Sequence, residues 1–140
     1  MNILSIDTSG NNYSLSVSKE NKITSFQDKS NNVSSESILV EIDNIVSKCS
    51  LSPSQINTLI YNNGPGSFTG IRVSSAIVQA IGFSNNCPVY GVNALNLDAY
   101  YMYKKYNFQK IQIAKKAFGD QIFHGLFIVN DKDCITQETI

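Results

Sequence analysis

The sequence predicts an α/β protein in which a mixed β-sheet is flanked by helices. Short segments near the start of the chain alternate apolar and polar residues, which is typical of strands joined by tight turns. Longer segments with apolar residues at helical spacing then alternate with short apolar segments, as in strand–helix–strand units. The 140-residue chain contains 42% hydrophobic and 16% charged residues, which is enough apolar material to form a core.

The first three strands are predicted to form an antiparallel meander. Residues 3–6 are apolar and end in a cluster of turn-forming residues, and residues 13–17 alternate apolar side chains with serines. Asn21-Lys22 is a candidate hairpin turn, and residues 23–26 can form a third strand. Strands joined by such short turns pair in antiparallel fashion.

Helices and strands alternate in the segments that follow. Apolar residues recur at helical spacing from Ile38 to Cys49, and Ser34 or Ser35 can cap the first turn of that helix. Further elements are predicted as strands over 56–61 and 89–92, and as helices over 71–83 and 94–106. Together with the meander they predict the mixed sheet.

The charge pattern predicts a domain boundary near residue 106. Residues 1–103 carry a formal charge of −2 and residues 104–140 a charge of +2. In residues 107–140, two strands are predicted around Gly119-Asp120, and two strands are too few for an independent domain. We therefore expect a first lobe over 1–106 and a short or truncated second lobe over 107–140.

Composition disfavours several classes of protein. Eleven basic residues balance eleven acidic ones at a pI near 6.5, which disfavours a dedicated electrostatic nucleic-acid binder. The longest apolar segments are too short to span a bilayer, and residues 1–10 lack the pattern of a signal peptide, so a cytoplasmic protein without membrane association is expected. One histidine and three scattered cysteines favour neither a bound metal nor a catalytic triad.

The strongest local motif is a glycine-rich loop over residues 63–70, between a predicted strand and a predicted helix. Such a loop can bind an anion through backbone amides at the start of the helix. Its glycine spacing differs from the dinucleotide fingerprint, and a Walker lysine is missing. An anion site and a structural turn are both open, and the turn is favoured.

Three other features have two interpretations each. Asp7, at the end of the first strand, could hold a magnesium-bound water or polarise a nucleophile, or it could close an Asx-turn. His124 lies in an apolar strand, where packing or solvation is commoner than catalysis. The lysines and aromatic residues over 100–116 could contact RNA, or they could form a solvated helix face beside a core stripe.

A family resemblance rests mainly on the loop Gly64-Pro65-Gly66-Ser67-Phe68-Thr69-Gly70-Ile71-Arg72. This segment resembles the signature of the bacterial TsaB (YeaZ) family of tRNA threonylcarbamoyladenosine biosynthesis proteins. Residues 6–9, 13–15, 35–39 and 91–95 resemble other family segments in the same order. Ser34 stands where many members have histidine, and members are usually longer, with a fuller second lobe.

The resemblance implies the fold of the actin-like ATPase superfamily, with a ribonuclease-H-like first lobe. It also implies a non-catalytic accessory subunit of the complex that installs N6-threonylcarbamoyl on adenosine 37 of tRNAs reading ANN codons. In that complex the catalytic subunit TsaD is the direct partner, the ATPase TsaE joins the assembly, and tRNA is reached indirectly. This chain is then expected to have no catalytic, cofactor-binding or metal-binding residues.

The family pairs with TsaD through the first two helices, so their apolar and small residues are the expected interface. A homodimer could use the same helices or the open strand edges of the second lobe. The expected interface residues are Ile38, Leu39, Ile42, Ile45, Val46, Ser74, Ile77, Val78 and Ile81. Aspartate at Ile42 and Ile45 is expected to abolish TsaD binding, provided that circular dichroism shows the isolated fold to survive.

Two enzymatic alternatives remain open. One is a nucleotide-binding ATPase or phosphotransferase of the actin-like superfamily that uses Asp7 and the Gly64–Gly70 loop. The other is a peptidase, a label once attached to relatives, for which the sequence offers neither a metal pair nor a triad.

Overall fold

A computed structural model describes residues 1–29, 34–117, 120–129 and 135–138, the last segment by its backbone. The chain divides into two compact units, Met1–Val92 and Asn93–Ile140. No helix in the described parts of the chain is both long enough and apolar enough to cross a membrane.

The first unit is built on a five-stranded sheet. The strands are β1 (Asn2–Asp7), β2 (Ser14–Lys19), β3 (Lys22–Gln27), β4 (Thr58–Asn62) and β5 (Val89–Val92), in the spatial order β3-β2-β1-β4-β5. The first three form the predicted antiparallel meander, whereas β4 lies parallel to β1 and β5 lies parallel to β4. The mixed sheet is therefore confirmed.

The turn between β2 and β3 lies one residue earlier than predicted. Lys19 pairs with Lys22, and the two residues between them, Glu20 and Asn21, both have positive φ, at 49° and 65°. Two consecutive positive values match the right-handed twist of a two-residue hairpin, and asparagine tolerates that conformation well.

Two helices cover the sheet of the first unit. Helix α1 (Ser35–Lys48) packs on β2 and β3, and helix α2 (Phe68–Asn85) packs on β4, β1 and β5. The two helices also contact each other. Ser34 caps α1 by accepting a hydrogen bond from the Ser37 amide, and Ser67 caps α2 by accepting one from the Gly70 amide. The cap at Ser67 is why α2 begins at Phe68 rather than at the predicted residue 71.

The core of the first unit lies between the sheet and these helices. Alternate residues of β1 and β2 point to the same side, and one apolar stripe of each helix meets them. The buried apolar members are Leu4, Ile6, Tyr13, Leu15, Val17, Ile38, Ile42, Ile45, Val46, Ile56, Leu59, Ile77 and Val78.

The second unit combines one helix with a three-stranded antiparallel sheet. Helix α3 (Ala94–Tyr106) is followed by β6 (Lys110–Lys116), β7 (Ile122–Val129) and β8 (Ile135–Glu138), in the order β6-β7-β8. Strand β8 was not predicted, and Gly119 of the predicted turn lies outside the described residues. A small core joins helix and sheet through Leu95, Ala99, Ile111, Phe127 and Val129.

Helix α3 groups with the second unit, whereas the predicted boundary at residue 106 places it in the first. Leu95 and Ala99 are buried against β6 and β7, and Met102 and Tyr103 pack beside them. The change in charge from which the boundary was predicted occurs at the exposed end of the helix, while its apolar side already belongs to the second core.

Candidate functional site

The glycine loop is fastened to the end of β1. The Ser67 amide donates a hydrogen bond to the Ser9 carbonyl at 2.7 Å, and the Thr8 hydroxyl donates one to the Gly70 carbonyl at 2.6 Å. Thr8 is fully buried, so this second bond is shielded from water. The first turn of α2 is therefore held against the turn that follows β1.

Close packing explains the glycines of this loop. A Cβ at position 66 would lie 2.6 Å from both the Cβ and the carbonyl oxygen of Ser9, and one at position 70 would overlap the Thr8 carbonyl. Gly64 has a φ of +104°, which residues with a side chain rarely adopt. The structural-turn interpretation therefore accounts for all three glycines without a ligand.

Asn62, which no sequence motif predicts as a site residue, connects the loop to Asp7. Its side-chain amide donates to Asp7 Oδ2 at 3.1 Å and to Ser9 Oγ at 3.0 Å, and its Oδ1 accepts from the Gly64 amide at 2.9 Å. Asn62 is buried at the end of β4. The sequence feature that could have identified Asn62 is its position, because it ends a buried strand directly before the glycine loop.

The Asp7 carboxylate takes part in a local turn. Its Oδ1 accepts from the Ser9 amide at 2.9 Å, which is the Asx-turn geometry, and its Oδ2 accepts from Asn62. Both oxygens of Asp7 thus contact donors of this chain. Within the described ranges, no group of three histidine, cysteine, aspartate or glutamate side chains lies close enough to hold a metal ion.

The other two candidates lie in the second unit. The ring of His124 is exposed on β7, with its Nε2 2.7 Å from the Gln112 side-chain nitrogen on the paired strand β6. This is a surface pair between neighbouring strands. On α3, the ammonium groups of Lys104 and Lys105 each lie 5.2–5.6 Å from the centroids of two tyrosine rings.

Most of the expected interface residues are buried in the core of the first unit, which corrects their assignment to a surface. Seven of the nine are buried, namely Ile38, Ile42, Ile45, Val46, Ser74, Ile77 and Val78. Ile81 is partly buried, and Leu39 is 50% exposed. The apolar stripes read from the sequence are the sides that pack on the sheet, because burying them within the chain is what makes each helix dock.

A different set of side chains is exposed on the same two helices. We define the α1–α2 face as Leu39, Val40, Ala76, Ala80 and Phe83, all of them exposed. Phe83 is 93% exposed. Ala76 and Ala80 lie one turn apart on α2 and leave room for another helix to approach closely. The signature-loop residues Phe68 and Arg72 lie nearby in the chain, with the guanidinium carbon 3.9 Å from the ring centroid.

The meander followed by parallel strands, with two helices on one side, defines a lobe of the actin-like ATPase superfamily. The family model described as "TsaD: tRNA N6-adenosine threonylcarbamoyltransferase" matches residues 28–111. The solved structure "YeaZ from Pseudomonas aeruginosa" superposes with a TM-score of 0.85 at 21% identity, covering 99% of this chain and 64% of that one. At that identity the structural likeness shows the fold.

Curated relatives identify the family of the chain within this superfamily. A "tRNA threonylcarbamoyladenosine biosynthesis protein TsaB" from Buchnera aphidicola of Schizaphis graminum is 30% identical over 92% of this chain and 61% of its own length. A protein of the same name from Buchnera aphidicola of Acyrthosiphon pisum is 28% identical over 91% of this chain and 58% of its own length. The chain belongs to the TsaB (YeaZ) family. It spans about three fifths of the length of these relatives.

Proposed function

We propose that this chain serves threonylcarbamoyladenosine formation in tRNA as a non-catalytic accessory subunit that binds the catalytic subunit TsaD. The single observation that carries this proposal is the α1–α2 face, an exposed surface on the two helices through which the family is expected to pair. The family model and the names of the curated relatives support the pathway. In this scheme TsaE joins the assembly, and tRNA is reached through the complex.

The geometry of the glycine loop supports a structural rather than a chemical role. Asp7 and the Ser67 and Gly70 amides, which an anion or metal chemistry would need, already make hydrogen bonds within the chain. These hydrogen bonds position α2. They fix the residue at which the helix begins, and therefore the direction in which Ala76, Ala80 and Phe83 point.

The composition of the α1–α2 face suits a helix of a partner protein. Leu39, Val40 and Phe83 provide apolar area, while the two alanines allow helix axes to approach. A standard interface buries roughly 800 Å² per partner, and two helices of 14 and 18 residues can present that area. Binding through this face would leave the core residues of both helices undisturbed.

Substitution of Leu39 by aspartate tests the proposal. Because a charge at the centre of an apolar interface is left unpaired, we expect Leu39→Asp to weaken TsaD binding at least about tenfold. Ile23→Asp is the matched control, since Ile23 is also an exposed apolar residue but lies on the edge strand β3. Binding is measured by titration calorimetry, and modification by reconstitution with TsaD, TsaE and tRNA.

Two results would contradict the proposed function. One is a complex with TsaD that forms equally well with the parent chain and with Leu39→Asp. The other is modification that proceeds at the same rate when this chain is left out. Ile42→Asp does not test the interface, because Ile42 is buried and a charge there is expected to unfold the first unit.

A further inference from the structure

A second exposed surface lies on α3 and the segment that follows it. Tyr101 is 56% exposed, Tyr106 49% and Phe108 52%. None of these three rings belongs to the core of the second unit, to which α3 contributes Leu95 and Ala99. Aromatic rings exposed to this extent in one short segment present a substantial apolar area to water.

The exposed rings are arranged in contact with lysine side chains. Tyr106 and Phe108 stack with their centroids 5.6 Å apart and an angle of 20° between their planes. The Lys105 ammonium lies 5.3 Å from the Tyr101 centroid and 5.2 Å from the Tyr106 centroid, and it donates a hydrogen bond to the Tyr101 hydroxyl at 3.0 Å. Lys105 therefore places a positive charge beside two of the exposed rings, Tyr101 and Tyr106.

The segment between Asp98 and Asp120 is positively charged although the whole chain is neutral. Between Asp98 and Asp120 the sequence contains five lysines and no acidic residue. Asp98 itself pairs with Lys115 at 2.9 Å, so its charge is compensated. Hydrogen bonds with Tyr101 and then with Tyr106 raise the pKa of Lys105 above its usual value.

We propose that the aromatic–lysine face, defined as Tyr101, Lys105, Tyr106, Phe108 and Lys110, binds a single-stranded segment of RNA. Bases would stack on the exposed rings, and the lysines would lie against the phosphates. Interfaces with proteins are enriched in aromatic residues but depleted in lysine, so the lysines between these rings favour a polyanion. Only the choice of RNA over DNA rests on the proposed function. In this proposal the chain itself contacts RNA, whereas in the proposed function tRNA is reached through the complex with TsaD.

The test uses the full 140-residue chain and a fluorescently labelled single-stranded RNA of about 12 nucleotides, within the range of site sizes known for such surfaces. Anisotropy should show binding at low salt that weakens as salt is raised. Tyr101→Ala and Phe108→Ala are each expected to weaken it about fivefold or more. Lys105→Gln should reduce the slope of log affinity against log salt by about 0.7. Tyr90→Ala, which removes an exposed ring on β5 of the first unit, is the control and should bind like the parent.

Three results would overturn this proposal. They are no anisotropy change at low salt, aromatic variants that bind like the parent, and loss of TsaD binding rather than RNA binding in Tyr101→Ala. The last result would make the face a protein interface. Circular dichroism of each variant confirms that the fold is kept, which is expected because the rings are exposed. Since RNA binding is measured without TsaD, it can fail while the proposed function stands, and the reverse also holds.

Discussion

One buried hydrogen bond and one close backbone contact join α2 to the turn after β1. The Thr8 side chain contributes one buried hydroxyl, and Gly70 contributes a carbonyl and the absence of a Cβ. Together they bring the start of α2 to within hydrogen-bonding distance of the turn after β1. A larger residue at position 70 or the loss of the hydroxyl at position 8 should therefore destabilise the packing of the whole loop.

A substitution at Gly70 tests this close approach. In Gly70→Ala the added methyl group would overlap the Thr8 backbone, so we expect the free energy of unfolding to fall by at least about 2 kcal/mol. Gly10→Ala is the control, since the atoms nearest to a Cβ there lie at 3.7 Å or beyond. Urea unfolding of both variants gives the comparison, and equal stability of the two would disprove the packing argument.

The buried hydroxyl of Thr8 can be tested separately. Thr8→Val keeps the shape of the side chain but leaves the Gly70 carbonyl without its donor, which should cost about 1–3 kcal/mol. Thr8→Ser keeps the donor and is expected to lose less. If the serine variant proved less stable than the valine variant, the methyl group rather than the hydrogen bond would be the important contact.

The burial of Tyr13 predicts that the protein becomes less stable at alkaline pH. Burial raises the pKa of its hydroxyl above the ordinary 10.0, and the hydrogen bond with Ser37 only partly opposes this. The neutral form is thus favoured in the folded state, and the resulting stability is present below pH 10 and lost as the pH rises through the folded pKa. We expect Tyr13→Phe to lack this alkaline loss. Urea unfolding of the parent and of Tyr13→Phe at about pH 8 and pH 11 measures the effect. If the two proteins differed in free energy of unfolding by the same amount at both pH values, Tyr13 would not be the cause.

At the scale of elements, caps determine where helices begin. Ser34 accepts from the Ser37 amide at 3.1 Å, whereas Ser35, already inside α1, is exposed. Ser34→Ala should therefore lower the free energy of unfolding by about 1 kcal/mol, and Ser35→Ala should have little effect. Thermal unfolding followed by circular dichroism distinguishes the two, and an equal loss in both variants would argue against the cap.

The sequence predicted the elements well because each has a short-range signal. Alternation with serines located β2, and the 3–4 spacing from Ile38 to Cys49 located α1. The start of α2 and strand β8 were missed, because one depends on the hydroxyl of Ser67 and the other has weak apolar periodicity. The candidate site was harder to predict. Periodicity identifies the apolar stripe of a helix but not what covers it, so buried Ile42 and exposed Leu39 were assigned to the same expected interface.

The whole molecule presents two separate candidate surfaces, one on each compact unit. We propose that copies of the chain associate through the α1–α2 face when TsaD is absent, because the same exposed apolar residues are then unpaired. Light scattering at high concentration should show a dimer in the parent and a monomer in Leu39→Asp. A dimer that survives Leu39→Asp but is lost in Ile23→Asp would indicate pairing through the edge strand β3 instead.

The direction of β1 has a practical consequence for laboratory handling. Met1 is exposed and precedes a six-residue strand, so it lies about 20 Å from the Thr8–Gly70 contact at the other end. A biotin or affinity tag attached at residue 1 would therefore anchor the protein to a sensor surface by the end of the sheet remote from that contact. Immobilisation in this orientation leaves the loop unobstructed while binding is recorded.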